Sequence, residues 1–204
     1  METKLQKGAY CFSQLGVLRK ANEWDKKNML PQGVVVVPED GGEHAFIIAP
    51  HNTIVAQFSP FKEVVGLITD RESWDALEAT KRIAAAYAGM HHDDPDGETE
   101  YDFDGSPAAD FCLAYSHGRI GAGEWALPTE KQLKAFAEYK REINACFRAM
   151  GCPTLPIGYY LSSIAKEGDS RCAWFVFIGY GLASDDDRDS SSYVRAVSAF
   201  RQFA

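Results

Sequence analysis

Apolar residues recur at helical spacing in the middle of the chain. A first helix is predicted over Glu72–Ala88, with a capping box that begins at Thr69. A second helix is predicted over Thr129–Met150, where Gln132 completes another capping box and Gly151 ends the helix. The apolar face of this second helix consists of Leu133, Phe136, Ile143, Cys146, Phe147 and Met150.

A shorter helix and several strands surround these two segments. Ser106 followed by Pro107 predicts a short helix, because proline fits the first helical position. The β-branched run Gly33–Pro38 and the apolar run His44–Ala49 flank a Glu-Asp-Gly-Gly turn, which predicts a β-hairpin. Further strands are predicted at residues 9–12, 52–58, 159–161, 173–178 and 193–200.

This order of elements predicts an α+β protein rather than the alternating units of a parallel sheet. We expect antiparallel strands, two to three helices and a strand-rich C-terminal third. Residues 1–32 are predicted to form an N-terminal strand and linker segment, and residues 33–204 a single domain.

Charge and cysteine content narrow the functional classes. A net charge of −8 argues against a nucleic-acid or anionic-membrane surface. The sequence has neither an apolar run of about 18 residues nor the apolar region of a signal peptide. Five scattered cysteines without a CxxC pair predict free thiols in a reducing compartment. A cytoplasmic or virion-associated protein is therefore expected, and a cell-surface one only if a leader is missing.

The stretch from Phe175 to Ser192 shows no regular period and mixes bulky apolar residues with glycine, serine and aspartate. It is predicted to form a ligand-binding surface, for which apolar and aromatic anchors are typical. The alternative is that Phe175 or Phe177 belongs to the core. The predicted site residues are Tyr159, Tyr160, Phe175, Phe177, Ile178, Tyr180, Leu182, Ser184, Asp185, Asp186, Asp187, Arg188, Asp189 and Ser191.

The aspartates of this stretch raise the question of a metal. Clustered carboxylates suit a hard cation such as calcium, but the spacing of Asp185–Asp189 is not that of an EF-hand. A solvated loop of like charges is the preferred interpretation. His91-His92-Asp93-Asp94 is interpreted in the same way, and no metal or other cofactor is predicted.

Four motifs occur in an order that indicates a known family: W-A-L-P-T-E-K-Q-L from Trp125, Y-Y-L-S-S from Tyr159, A-W-F-V from Ala173 and Y-V-R-A-V from Tyr193. Together they resemble the DUF1566-type (Lcl C-terminal-like) domains, well over residues 108–200 and weakly over residues 33–200. The resemblance implies a C-type-lectin-like fold related to that of formylglycine-generating enzymes. It assigns Trp125, Trp174 and Tyr193 to the scaffold. The chain departs from the family pattern at Leu161, where tryptophan is usual, which implies altered core packing.

Some proteins with this fold, in gut bacteria and their phages, are variable proteins of diversity-generating retroelements. Their variable residues precede a terminal Y-V-R-A-V strand, and the mutated codons have the form NNY, which cannot encode Lys, Glu, Gln, Met or Trp. Residues 175–192 contain none of these five amino acids. The resemblance therefore implies a variable recognition surface.

The predicted function is binding of a protein or cell-surface ligand. The alternative is a structural or assembly module of a phage particle or a cell-surface appendage. An enzyme is not predicted, since Cys146, Cys152 and Cys172 lack the motif context of formylglycine-generating enzymes and no other catalytic constellation is evident.

Overall fold

A computed structural model describes residues 5–38, 42–51, 53–60, 64–92, 103–169 and 172–200. The described part of the chain contains two five-stranded sheets and four α-helices, which confirms the α+β class. One more helix is present than the sequence predicted. No helix in these ranges combines the length and the apolar character needed to cross a membrane.

The first sheet combines both ends of the chain. It contains β1 (Gly8–Ser13), β2 (Leu18–Arg19), β3 (Pro31–Val37), β4 (Phe46–Ile48) and β10 (Val197–Ala199), in the order β10-β4-β3-β1-β2 with antiparallel neighbours. The predicted hairpin is confirmed as β3–β4, although residues 39–41 of its turn lie outside the described residues. The boundary predicted after residue 32 falls inside β3, and β1 pairs along the length of that strand.

The valine run of β3 is apolar throughout because both faces of this sheet are covered. Val35 and Val37 pack in one apolar cluster, whereas Val34 and Val36 pack in a second cluster that also contains Phe136 and Phe147. A strand buried on both faces shows a continuous apolar run instead of an alternating pattern.

The second sheet contains β5 (Ile54–Ala56), β6 (Tyr159–Ala165), β7 (Cys172–Phe177), β8 (Leu182–Asp187) and β9 (Ser192–Val194). Its order is β5-β9-β6-β7-β8, and only the β6–β9 pair is parallel. β5 lies within the strand predicted at residues 52–58. β8 was not predicted.

The strand predicted at residues 193–200 is wrong as a single element. It divides into β9 and β10, which belong to different sheets. The division falls at Arg195, whose side chain is fully buried. Its Nε donates to the Ala49 carbonyl oxygen at 2.7 Å and its Nη1 to Thr53 Oγ1 at 2.8 Å. Arg195 thus fixes the crossing point between the two sheets.

The helices begin at side-chain caps. α1 (Ala76–Tyr87) starts later than predicted, because Asp75, and not Thr69, accepts the hydrogen bond from the first turn through Glu78 N. α2 (Pro107–Ala114) has Ser106 as its N-cap and proline in its first turn, as predicted. The capping box around Thr129 is likewise confirmed.

The long helix predicted over Thr129–Met150 is two helices in the structure. α3 (Glu130–Glu138) and α4 (Lys140–Met150) are separated by Tyr139, whose φ of −96° and ψ of 14° leave the helical region. Gly151 ends α4 in the left-handed conformation at φ 73°, which confirms the predicted stop.

Candidate ligand-binding surface

Most of the stretch predicted to be irregular is a regular β-hairpin. β7 and β8 pair over six positions, from Cys172 opposite Asp187 to Phe177 opposite Leu182. The turn closes where the Phe177 carbonyl oxygen accepts hydrogen bonds from the Tyr180 and Gly181 amides, and Gly181 adopts φ 73°. β8 escaped prediction because Leu-Ala-Ser-Asp-Asp-Asp has little intrinsic preference for a strand. Its conformation depends on pairing with β7.

Four of the predicted site residues belong to the interior, which corrects their assignment to the surface. Tyr160 and Ile178 are fully buried against α3 and α4, and Phe175 is buried in the other apolar cluster. Arg188 is also buried. Tyr160, Ile178 and Arg188 support the surface from the interior, and Phe175 contributes to it only as part of the lining of a polar cavity.

Arg188 anchors the connection between β8 and β9. Its Nε donates to the Cys172 carbonyl oxygen at 2.9 Å, its Nη1 donates to the Tyr87 hydroxyl, and its guanidinium lies 5.6 Å from the Phe58 ring. The Arg188 carbonyl oxygen in turn accepts from the Phe58 amide at 2.9 Å. These contacts hold the connection against α1 and the segment after β5.

Four of the other predicted residues form one exposed cluster, which we call the apolar patch: Tyr159, Phe177, Tyr180 and Leu182. Tyr159, Phe177 and Leu182 lie opposite one another on β6, β7 and β8. The Phe177 ring centroid is 5.2 Å from that of Tyr159 and 5.6 Å from that of Tyr180. Tyr180 is 82% exposed and Leu182 66% exposed. The patch therefore presents aromatic and aliphatic surface to solvent at one end of the second sheet.

Two glycines leave room for aromatic rings in the patch and next to it. A Cβ on Gly158 would lie 2.6 Å from Tyr193 Cε2, and a Cβ on Gly179 would overlap the Phe177 ring. The turn that carries Tyr180 is also fixed from below, since Ile178 is buried and Lys140 Nζ donates to the Gly179 carbonyl oxygen at 3.1 Å. The apolar patch thus stands on a well-supported turn.

A polar cavity of about 380 Å³ adjoins the patch, and we call it the serine pocket. The β8–β9 connection forms one side of it, because this connection has to pass β7 and β6, which lie between β8 and β9. Gln57 Nε2 donates to Ser191 Oγ at 3.1 Å and so ties the connection to the segment after β5. The lining residues are Tyr159, Phe175, Ser184, Asp186, Ser190, Ser191 and Ser192.

The aspartates do not form the predicted loop. Asp185, Asp186 and Asp187 belong to β8, where successive side chains leave on opposite faces. Lys166 pairs with Asp185 and lowers the pKa of that carboxyl. Asp189 lies beyond the strand, with its Oδ2 3.8 Å from His92 Nε2. Across the described ranges, no three His, Cys, Asp or Glu side chains are grouped as a metal would require.

Trp174 belongs to a supporting network on the other face of the hairpin. The Arg71 guanidinium stacks 3.7 Å from its ring centroid and forms two hydrogen bonds with Glu130, at 2.6 and 2.7 Å. Burial raises the pKa of Glu130, but hydrogen bonds from Arg71 and Lys134 outweigh it, so that the pKa lies below its usual range. These bonds keep the buried Glu130 carboxylate ionised. Its negative charge at the start of α3 also interacts favourably with the helix dipole.

All five cysteines are free, and four of them are buried. Burial raises the pKa of Cys112, Cys152 and Cys172, which disfavours the reactive thiolate. Cys11 on β1 lies against Cys146 on α4, and Cys11 Sγ is 3.7 Å from the Cys146 carbonyl oxygen.

Sequence reasoning missed three contributors to this region. Ser190 and Ser192 line the serine pocket, and exposed Val55 forms a groove of about 220 Å³ with Tyr159 and Tyr193. The missing signal was the sheet order, which places β9 between β5 and β6. A separate cavity of about 330 Å³ lies beside β10, where His44 stacks on Trp74, and nothing in the sequence pointed to it.

Comparison with known proteins adds no family assignment: no protein-family model matches the chain, and the search of curated proteins gave no match.

Proposed function

We propose that this chain is a ligand-binding protein with a C-type-lectin-like fold, resembling the DUF1566-type domains, and that its apolar patch binds a protein or cell-surface molecule. The observation that carries the proposal is the exposure of Tyr180 and Leu182 next to the rings of Tyr159 and Phe177. The turn that carries Tyr180 is held in place by the buried Ile178. Contiguous exposed apolar surface of this kind is typical of interaction sites.

The chemistry of the patch supports recognition of a macromolecule. Aromatic side chains supply large contact area at low cost in conformational entropy, and they dominate the energetics of many interfaces. The fixed turn adds to this, because little ordering remains to oppose binding once Ile178 and Lys140 hold it in place.

Burial within residues 175–192 also supports the idea of a variable surface. Phe175, Val176, Ile178 and Arg188 are buried, whereas Tyr180, Leu182 and the β8 aspartates are exposed. A rigid frame with an exposed set of residues tolerates exchange on its surface without loss of the fold. We propose that the exposed set is the part that a retroelement diversifies.

Sequencing of sibling copies of the gene tests this proposal. Differences are expected at the codons of exposed positions such as Tyr159, Tyr180, Leu182 and Asp186, while the codons of Phe175 and Arg188 stay constant. Differences spread evenly along the chain would rule out diversification.

The second candidate function, a structural or assembly module, uses the same patch as an oligomer contact. β8 is an edge strand, but its three aspartates oppose pairing with a second sheet edge. Assembly would therefore involve the patch itself. Light scattering distinguishes the two functions: a stable oligomer that dissociates on Tyr180→Ala, but not on Val65→Ala at a 92% exposed position outside the patch, would favour assembly.

A further inference from the structure

We propose that the serine pocket binds a cationic side chain, an arginine or lysine, of the ligand whose apolar part covers the patch. This inference rests on the proposed function and specifies the chemistry of the partner. It follows from the lining of the cavity, from its charge and from its continuity with the patch.

The lining supplies acceptors and an aromatic wall. Four serines, Ser184, Ser190, Ser191 and Ser192, line the cavity, and Asp186 is the acidic residue in the lining. A guanidinium or ammonium group donates several hydrogen bonds and accepts none, so hydroxyl and carboxylate oxygens satisfy it. The Tyr159 ring at the wall is a suitable surface for stacking a guanidinium.

Asp185 already has a cationic partner in the structure, whereas the carboxylate of Asp186 can still bind one. Lys166 pairs with Asp185 on the opposite face of β8, whereas among the described residues no Lys, Arg or His forms an ion pair with Asp186. Within the described ranges, the hydrogen bond that Asp186 Oδ1 accepts comes from the backbone amide of Asp187, at 2.8 Å. The nearby Arg188 guanidinium is directed to Cys172 and Tyr87 in the interior.

Shape and position match a side chain better than a free metal ion. The volume of about 380 Å³ is within the range of pockets that hold small organic groups. A calcium ion requires six to eight oxygen ligands and favours several carboxylates, but alternation along β8 leaves Asp186 as the one carboxylate in this lining. Tyr159 belongs to both the pocket and the patch, so one ligand can fill both.

The test is an NMR titration of the whole chain with N-acetyl-L-argininamide, with the uncharged N-acetyl-L-citrullinamide as the matched control ligand. The arginine compound is expected to shift the amide signals of Ser184, Asp186 and residues 190–192, and its affinity is expected to fall as salt is raised. The citrulline compound is expected to leave these signals unchanged.

Two neighbouring substitutions provide the matched protein control. Asp186→Asn is expected to weaken binding at least about tenfold, the scale of one lost charge-assisted hydrogen bond. Asp187→Asn removes the same charge from the opposite face and is expected to change affinity less than about twofold. If the Asp186→Asn spectrum shows a disturbed fold, Asp186→Ser replaces it.

Equal shifts with both compounds, no shift at the pocket, or equal effects of the two substitutions would overturn the inference. The outcome is separable from that of the proposed function. Binding of the arginine compound would establish the pocket even if the sibling genes differ evenly. Failure to bind would remove the pocket and leave the apolar patch as proposed.

Discussion

Tyr159 and Tyr160 are neighbours on β6, yet one is 49% exposed and the other is fully buried. The same contrast separates a covered region, formed by Tyr160, Phe175 and the turn residue Ile178, from the open end of the second sheet at the apolar patch. Residue type does not distinguish the two regions, since both are aromatic and aliphatic. The difference lies in what covers them: α3, α4 and the other buried cluster cover the first region, and nothing in the described residues covers the second.

One segment thus contains both a buried and an exposed part. The covered region holds the sheet in place, and the open end is where we propose that the ligand binds. Removal of the same chemical group should therefore lower the stability more in the covered region than at the open end. The size of this difference measures how far the two regions differ in burial.

The largest difference is expected between Phe175→Ala and Phe177→Ala. Phe175 is 2% exposed, so its removal should lower the free energy of unfolding by about 3–5 kcal/mol. Phe177 is half-buried and should cost about 1–2 kcal/mol, because only part of its transfer free energy is lost. Urea denaturation measures both. Equal losses would mean that the patch is part of the core.

A smaller difference is expected between Tyr160→Phe and Tyr159→Phe. The Tyr160 hydroxyl donates to the Pro156 carbonyl oxygen at 3.1 Å, and its loss should cost about 1 kcal/mol. The exposed Tyr159 hydroxyl should contribute less than about 0.5 kcal/mol. Chemical denaturation near neutral pH gives both values.

Alkaline pH adds a second measurement on the same pair. Burial raises the pKa of Tyr160 above its ordinary value. Its contribution to stability is then complete below the unfolded-state pKa of about 10 and is lost as the pH rises above that value. The wild type should lose more stability than Tyr160→Phe between about pH 9 and about pH 11. Parallel loss in both proteins would contradict the burial of this phenol.

Gly179→Ala should disturb the open end with little effect on the covered region. A Cβ at this position overlaps the Phe177 ring, which can move towards solvent, so the stability loss should stay below about 1 kcal/mol. The nuclear Overhauser contacts between Phe177 and Tyr159 should nevertheless weaken. Gly121→Ala is the control, because a Cβ there meets only Glu124 Oε2 at 3.4 Å. Unchanged ring contacts in Gly179→Ala would show that the patch does not depend on this glycine.

The smallest effects are expected for Tyr180→Ser and Leu182→Ser. Both side chains are mostly exposed, and each substitution should alter the free energy of unfolding by less than about 0.5 kcal/mol. Thermal denaturation followed by circular dichroism measures the change. A loss of several degrees in melting temperature for either variant would place these residues in the scaffold instead of a replaceable surface.

Local signals predicted several elements well. Ser106 before Pro107, the capping box at Thr129 and the left-handed Gly151 all act within a few residues, and each appears as expected. Prediction failed where a distant partner decides the outcome. β8 forms because β7 lies beside it, and Arg195 breaks the terminal strand because Ala49 and Thr53 accept its hydrogen bonds.

The candidate site shows the same limit. Alternation along a strand separates Phe175 from Val176, but it cannot show that Phe175 is buried while Phe177, on the same face, is only half-buried. The residues that line the serine pocket come from four strands and one connection, so their proximity is a property of the sheet order.

The sequence by itself determined the α+β class, the caps of α2 and α3, the β3–β4 hairpin and the stretch that contains the proposed site. These follow from local propensity, from hydrophobic period and from capping hydrogen bonds, which act over a few residues. Only the tertiary structure decided which aromatic residues of that stretch are buried and which are exposed. Burial depends on segments far away in sequence, such as α3, α4 and the β8–β9 connection, and no local pattern reports where those segments pack.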